Sequence, residues 1–188
     1  RWQTSYGMSL GGRTLGLLGL GRLGRLMVPV GKAFGMRVIA WSQNLTEEAA
    51  RGAGCERVDK HTLFAQSDFV SLHQVLSERS RHIVAEAEIA AMKPSAYIIN
   101  TSRGPLIDRA ALIRALRERR IAGAGLDTYD VEPLPADDDL RTLDNVALTP
   151  HLGYTVGELL RPFYEDTAEN LVAYLAGAPI RLLTVDAR

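Results

Sequence analysis

Short apolar runs alternate with helix-patterned stretches along most of this chain, and that alternation limits the fold more than any other feature. The spacing predicts strands over 14–18, 37–41, 68–72, 96–100, 122–126 and 146–148. Helices are expected over 22–34, 47–51, 86–92, 108–119 (with Asp108 as N-cap) and 156–175, the last interrupted near Pro162. The strand runs hold apolar residues at consecutive positions instead of at every second one, which is how a strand covered on both faces reads. The fold expected is α/β, a doubly wound parallel sheet of the Rossmann, dinucleotide-binding type.

One turn in this pattern carries chemistry. Gly19-Leu20-Gly21-Arg22-Leu23-Gly24 fits G-x-G-x-x-G and lies between the first expected strand and the first expected helix, the context the motif requires. Gly19 permits the tight turn, Gly21 lets backbone approach a pyrophosphate, and Gly24 lets helix and strand pack closely. The helix start offers N–H groups and a partial positive charge to phosphates. At the end of the second strand, Ser42 stands where an NAD site usually has Asp or Glu for the ribose 2′-hydroxyl. A hydroxyl does not repel a 2′-phosphate, and Arg22 can approach from the glycine loop, so NAD and NADP both stay open. Ser42 reads equally as a turn residue after a strand.

Three ionisable residues stand at strand ends or in loops of the second half. They are Arg103 in Asn100-Thr101-Ser102-Arg103-Gly104, Glu132 in Asp130-Val131-Glu132-Pro133, and His151 in Thr149-Pro150-His151-Leu152-Gly153. The C-terminal ends of parallel strands gather along one rim, so these residues can meet there. Reduction of a 2-keto acid needs a cation for carboxylate and carbonyl, a proton donor, and a group that tunes the donor. Arg103 suits the first role through its bidentate fork. His151 suits the second, and Glu132 beside it would favour the charged ring.

These segments, with Gly125-Leu126-Asp127, resemble the D-isomer-specific 2-hydroxyacid dehydrogenase family, which includes D-3-phosphoglycerate dehydrogenases and glyoxylate/hydroxypyruvate reductases. The likeness runs from about Leu10 to about Leu183, and several motifs in the family's order are more specific than the glycine loop alone. It implies catalytic roles for Arg103, Glu132 and His151. It places the backbone of Arg22 and Leu23 on the pyrophosphate and Asp127 on the nicotinamide carboxamide. Thr101, Ser102 and Gly153 would border the nicotinamide together with Arg103 and His151. Gln74, Val75 and Ser77 would form the strand-end loop over the cofactor, although Val75 stands where the family often has proline.

The resemblance also implies a second, substrate-side lobe that is mostly absent from this sequence. On that reading 1–10 are the remnant of a connection from it, 11–153 the dinucleotide-binding domain, and 154–188 a helix and tail returning toward it. A homodimer through this lobe is expected, with a small 2-hydroxy or 2-keto acid as substrate. The function implied is hydride transfer between NAD(P) and that acid. The alternative is a dinucleotide-sensing, co-repressor-like binding protein without turnover.

Composition narrows the rest. Basic and acidic residues number 22 each, so the basic excess of a nucleic-acid binder is missing. No apolar run reaches the roughly 18 residues of a membrane span, and no secretion signal follows Arg1. One cysteine, Cys55, cannot form an internal disulfide, which suits a reducing, cytoplasmic setting. No metal-ligand spacing occurs, and none is expected. His61 and His82 read as residues of solvated helices and His73 as packing under the cofactor loop. The run Arg114, Arg117, Arg119 and Arg120 reads as the wet face of a helix.

Overall fold

In a computed structural model, residues 6–183 are described; residues 1–5 and 184–188, which include parts of the expected N-terminal connection and C-terminal tail, lie outside the described residues. The chain divides into two compact units between His151 and Leu152.

The first unit is built on seven parallel strands in the order β3-β2-β1-β4-β5-β6-β7. These are β1 (Thr14–Leu18), β2 (Arg37–Trp41), β3 (Glu56–Arg57), β4 (Phe69–Leu72), β5 (Tyr97–Asn100), β6 (Gly123–Leu126) and β7 (Val146–Leu148). The helices α1 (Arg22–Ala33), α2 (Glu47–Ala53), α3 (Lys60–Gln66), α4 (Glu86–Ala91) and α5 (Arg109–Arg117) connect them. All five residues of β1 are buried, as a central strand between two helical layers requires. The pleat sorts its side chains. Leu15 and Leu17 join Val28, Val38, Ala40 and Ala50 in one core, whereas Leu18 joins Ile39, Phe64, Ile98 and Leu116 in the other.

Caps explain several helix starts. Thr46 accepts the Ala49 N–H, Asp59 the Thr62 N–H, and Asp108 the Ala111 N–H. Gly54, at φ 84°, ends α2 in the left-handed conformation that a side chain would resist. The chain runs outward from β1 to β3, then returns through α3 to β4 on the other side of β1. The crevice at the C-terminal ends of β1 and β4 is therefore the topological switch point, where ligands of such sheets bind.

Several expectations need correction. The strand β3 is absent from the expected set, and α3 is expected only as a helix around His61, without bounds. Two charged residues give no apolar run, and seven helical residues give too few turns for a period. The expected helix over 108–119 ends at Arg117, so Arg119 (φ 55°) and Arg120 lie beyond it. His82 sits in a turn at φ 52°, not on a helix. His61 lies on α3 and is exposed, as expected.

The second unit consists of α6 (Gly157–Leu175) and its tail. Pro162 does not interrupt α6, contrary to expectation. It stands near the helix start and forfeits one backbone hydrogen bond without ending the turn. No residue of α6 is buried, and Phe163, Tyr164, Leu171, Val172 and Leu175 are exposed. In the tail, Arg181 bonds Asp166 at 2.8 Å, Glu169 at 2.7 Å and Asn170 at 3.0 Å on that helix.

Candidate active site

The glycine loop sits where the topology requires, between β1 and α1. Gly19 has φ 101°, and a Cβ there would lie 2.5 Å from the His73 carbonyl oxygen. Gly24 would bring a Cβ within 2.2 Å of the Gly19 oxygen. These two positions are closed by the protein's own backbone. Gly21 differs, because a Cβ there would meet nothing within 4 Å. The loop is thus tight against its own fold and open at Gly21, which is the shape a pyrophosphate cradle needs. Gly21 offers no side-chain cap to α1, and Arg22 and Leu23 open the helix, so their N–H groups precede any carbonyl of their own helix that could take them. The residues present therefore fit a dinucleotide.

The loop after β4 closes the other side of the crevice. His73 bonds through its N–H to the Leu18 oxygen and through Nε2 to the Ser71 hydroxyl at 3.0 Å. Burial holds the ring below the ordinary histidine value, so it is neutral at neutral pH. The expectation that His73 packs under the loop holds. Val75 is exposed, Gln74 partly so, and Ser77 exposed. Buried Ser80 shapes this stretch by accepting the Ser77 N–H and donating to the Val75 oxygen, each at 2.7 Å. Ser42 follows β2 directly, and its carbonyl accepts the Leu45 N–H at 3.1 Å, so it opens a turn. It is half-buried, and no carboxylate replaces it at the strand end.

Three loops meet at the far half of the rim. The first follows β5. Buried Asn100 accepts the Ser102 N–H at 3.0 Å and donates to the Arg103 oxygen at 2.8 Å. That side-chain brace curls Thr101-Ser102-Arg103 over the strand end. The Ser102 hydroxyl ties the loop to the Leu72 oxygen at 2.7 Å, and Arg103 is exposed. Gly104 lies so close to the second loop that a Cβ would fall 2.2 Å from the Tyr129 carbonyl carbon.

The second loop follows β6 and holds Asp127 and Glu132. The third follows β7 and holds His151, whose φ is 55°. The two are cross-linked. Thr149 Oγ1 donates to buried Asp127 at 2.5 Å, and His151 Nδ1 lies 2.7 Å from Glu132 Oε2. The Tyr129 N–H gives the other Glu132 oxygen a donor at 2.9 Å. The His151 bond first, then the Tyr129 N–H, holds the Glu132 carboxyl below its ordinary value, with Arg103 adding a weaker pull. Glu132 is therefore a carboxylate at neutral pH, and Nδ1 of His151 must carry the hydrogen between them. A left-handed backbone in a non-glycine residue at this spot is a local strain of the kind that marks functional sites. A cleft of about 550 Å³ opens beside the pair, lined by Tyr129, Glu132, Leu134, Arg141, Thr149 and His151.

The structure thus brings Arg103, Glu132 and His151 to one region of the rim, with Asp127, Thr101 and Ser102 beside them. Gly153 falls in the second unit. Sequence reasoning missed Asn100, Tyr129 and Thr149. Asn100 left a signal, a polar residue closing an apolar run two positions before a loop serine. Tyr129 and Thr149 left none, because the bonds that join the loops, Tyr129 to the Thr149 carbonyl and Thr149 to Asp127, span 20 and 22 positions of sequence.

Known proteins agree with this geometry. Residues 1–153 match the D-isomer specific 2-hydroxyacid dehydrogenase NAD binding domain. The chain is 44% identical over 171 residues to a glyoxylate reductase of Thermococcus litoralis, covering 91% of this chain and 51% of that protein. It is 42% identical over 172 residues to a D-3-phosphoglycerate dehydrogenase of Methanocaldococcus jannaschii, covering 91% and 33%. A crystal structure of a phosphoglycerate oxidoreductase from Vibrio cholerae superposes with a TM-score of 0.87 at 35% identity, over 93% of this chain and 56% of that one. The chain therefore spans about half the length, or less, of the proteins it matches. With its open glycine cradle and paired Glu132–His151 on one parallel sheet, the chain belongs to the D-isomer specific 2-hydroxyacid dehydrogenase family, through that family's NAD-binding domain.

Proposed function

We propose that the protein bearing this chain transfers a hydride between NAD(P) and a small D-2-hydroxy acid or its 2-keto partner. The observation that carries the reading is the 2.7 Å His151–Glu132 bond beside the Arg103 loop, on the same rim as the glycine cradle. A bound nicotinamide supplies the hydride donor or acceptor. Gly19 and Gly24 shape the cradle, Gly21 lets the pyrophosphate approach, and the backbone N–H groups of Arg22 and Leu23 hold it. Ser42 contacts the ribose, and Gln74, Val75 and Ser77 cover the cofactor. Thr101, Ser102 and Asp127 border the nicotinamide.

The chain's own chemistry follows. Arg103 grips the substrate carboxylate and polarises the carbonyl oxygen. Glu132 engages Nδ1 of His151, so proton exchange with the substrate oxygen falls to Nε2. The carboxylate fixes the ring's tautomer and stabilises it when charged. Segment 11–153 is the dinucleotide-binding domain, and the remainder of the protein supplies a substrate-side lobe to which 1–10 and 154–188 connect. The protein forms a homodimer through this lobe, a reading supported by the exposed Leu23, Leu26, Val30 and Phe34 along α1 and its end. Among the described residues no helix is long and apolar enough to cross a membrane. We place the protein in the cytoplasm, where Cys55, the one cysteine of this chain, needs no partner.

Two measurements test this. Titrating the chain with NADH and NADPH should quench Trp41, beside the expected adenosine end, and reveal which dinucleotide binds tighter. In the protein bearing this chain, His151→Asn should lower turnover by about a thousandfold while cofactor affinity stays within twofold. Asn is chosen because it tolerates the left-handed backbone of His151. Turnover unchanged in that variant would leave a dinucleotide sensor as the better reading.

A further inference from the structure

Tyr129 borders the loop of Arg103, bonds Glu132, and bonds the loop that carries His151. Its backbone carbonyl lies against Gly104, next to Arg103, with no room for a Cβ between them. Its N–H donates to Glu132 at 2.9 Å. Its phenol oxygen lies 2.9 Å from the Leu126 oxygen and 2.8 Å from the Thr149 oxygen. The Leu126 oxygen also accepts the Thr149 N–H at 3.0 Å, and the Thr149 oxygen also takes the His151 N–H at 3.1 Å. The hydroxyl therefore straddles the point where β6 and β7 part company, two residues before His151. We propose that Tyr129 is the positioning residue that sets the loops of Arg103, Glu132 and His151 in register, with its hydroxyl as the latch on the His151 loop.

Chemistry requires the oxygen, not only the ring. A phenylalanine would fill the same volume beside Leu134 and Leu148, but two carbonyl oxygens would lose a shared donor. Burial pushes the phenol above its ordinary value, so the group stays protonated and can donate at any pH where the protein works. Without it, the Thr149–His151 segment keeps its Asp127 and Leu126 bonds but loses the phenol on the Thr149 carbonyl, two residues before His151. His151 holds a left-handed backbone that surrounding contacts must maintain. Loss of the latch lets that loop relax and lengthens the bond to Glu132. The role rests on the dehydrogenase reading of Glu132 and His151, but the geometry it claims can be read without turnover.

The test is Tyr129→Phe in this chain, with the Nδ1–H resonance of His151 followed by NMR and Glu132→Gln as the reference for a broken pair. We expect the resonance in the parent chain and its loss, or at least tenfold faster exchange with water, in Tyr129→Phe. NADH affinity should stay within twofold, because the glycine cradle is untouched. In the protein bearing this chain, kcat should fall between about tenfold and a hundredfold with KM nearly unchanged. Ser67→Ala is the control. It also deletes a buried hydroxyl-to-carbonyl bond, 2.6 Å to Leu63, remote from the rim. A parent-like His151 signal in Tyr129→Phe, or equal loss of it in Ser67→Ala, overturns the proposal. If Tyr129→Phe does not fold, difluorotyrosine at 129 keeps the shape and gives up its proton at lower pH. The His151 signal must then vanish as that phenol ionises, and a signal indifferent to it also overturns the proposal. Intact turnover in His151→Asn would instead remove the dehydrogenase reading and leave the NMR result standing.

Discussion

The two ends of the parallel strands each hold a carboxylate that the fold treats in opposite ways. At the N-terminal ends, Asp68 is 8% exposed and tied on every side. It accepts the Thr14 N–H at 2.8 Å and Lys93 at 3.0 Å, with Arg13 at 3.7 Å. At the C-terminal rim, Glu132 is exposed and bonds His151 at 2.7 Å beside an open cleft, with Arg103 adding a weaker pull. Burial raises the Asp68 carboxyl, but the Thr14 N–H, Lys93 and Arg13 outweigh it and hold it below its ordinary value. The Glu132 carboxyl is also held low, by His151 before anything else. The same direction of shift thus arises from two environments. Asp68 locks β1 to β4 and has no solvent route to a substrate, whereas Glu132 keeps one ring in one tautomer at an open site. A perturbed carboxylate identifies chemistry only when its surroundings leave room for a ligand.

This contrast can be broken by experiment. The largest effect expected is on turnover. Glu132→Gln should lower kcat in the protein bearing this chain by about a hundredfold to a thousandfold, with the urea midpoint unmoved. A stability loss without an activity loss would place Glu132 with Asp68 as a structural residue. Next comes stability itself. Asp68→Ala should destabilise the fold by about 2–4 kcal/mol, because it leaves the Thr14 N–H and Lys93 without their acceptor, and NADH affinity should change little in the fraction that remains folded.

Smaller is the pH dependence. Because Asp68 is held low in the folded state, the unfolded chain binds its proton first as pH falls. The stability it contributes is present above about pH 3.9 and is lost below that as pH drops through the folded value. Urea midpoints between pH 3 and 7 should therefore fall less steeply for Asp68→Asn than for the parent chain. An acid limb equally steep in both would assign it to other carboxylates. The smallest effect sharpens the site's other half. Ser42→Asp should shift the ratio of NADH to NADPH affinity toward NADH by about tenfold, read by Trp41 quenching. No shift would mean that the turn at Ser42 does not face the ribose.

Much of this was legible in the sequence, for definite reasons. The strands β1 and β2 were placed to the residue because uninterrupted apolar runs bounded by polar residues have one reading. The Asp108 cap and the glycine loop followed from local chemistry. Arg103, Glu132 and His151 could be named because parallel strands deliver their C-terminal ends to one rim. What stayed hidden was non-local. The α3 crossover depends on Gly16, where a Cβ would meet the Ser67 hydroxyl at 2.1 Å, and a glycine inside a strand does not announce that neighbour. The bonds that align the catalytic loops run from Tyr129 and Thr149 to groups on other segments. No periodicity encodes a hydroxyl that bonds two carbonyls.

The outermost strands of the sheet carry a further consequence. β3 has two residues and β7 three, so each border offers only a stub of unpaired backbone. A stray chain in extended form finds too few rungs there to template onto. Geometry therefore disfavours amyloid-like growth from the sheet border and leaves the apolar side chains displayed along α1 as the better surface for self-association.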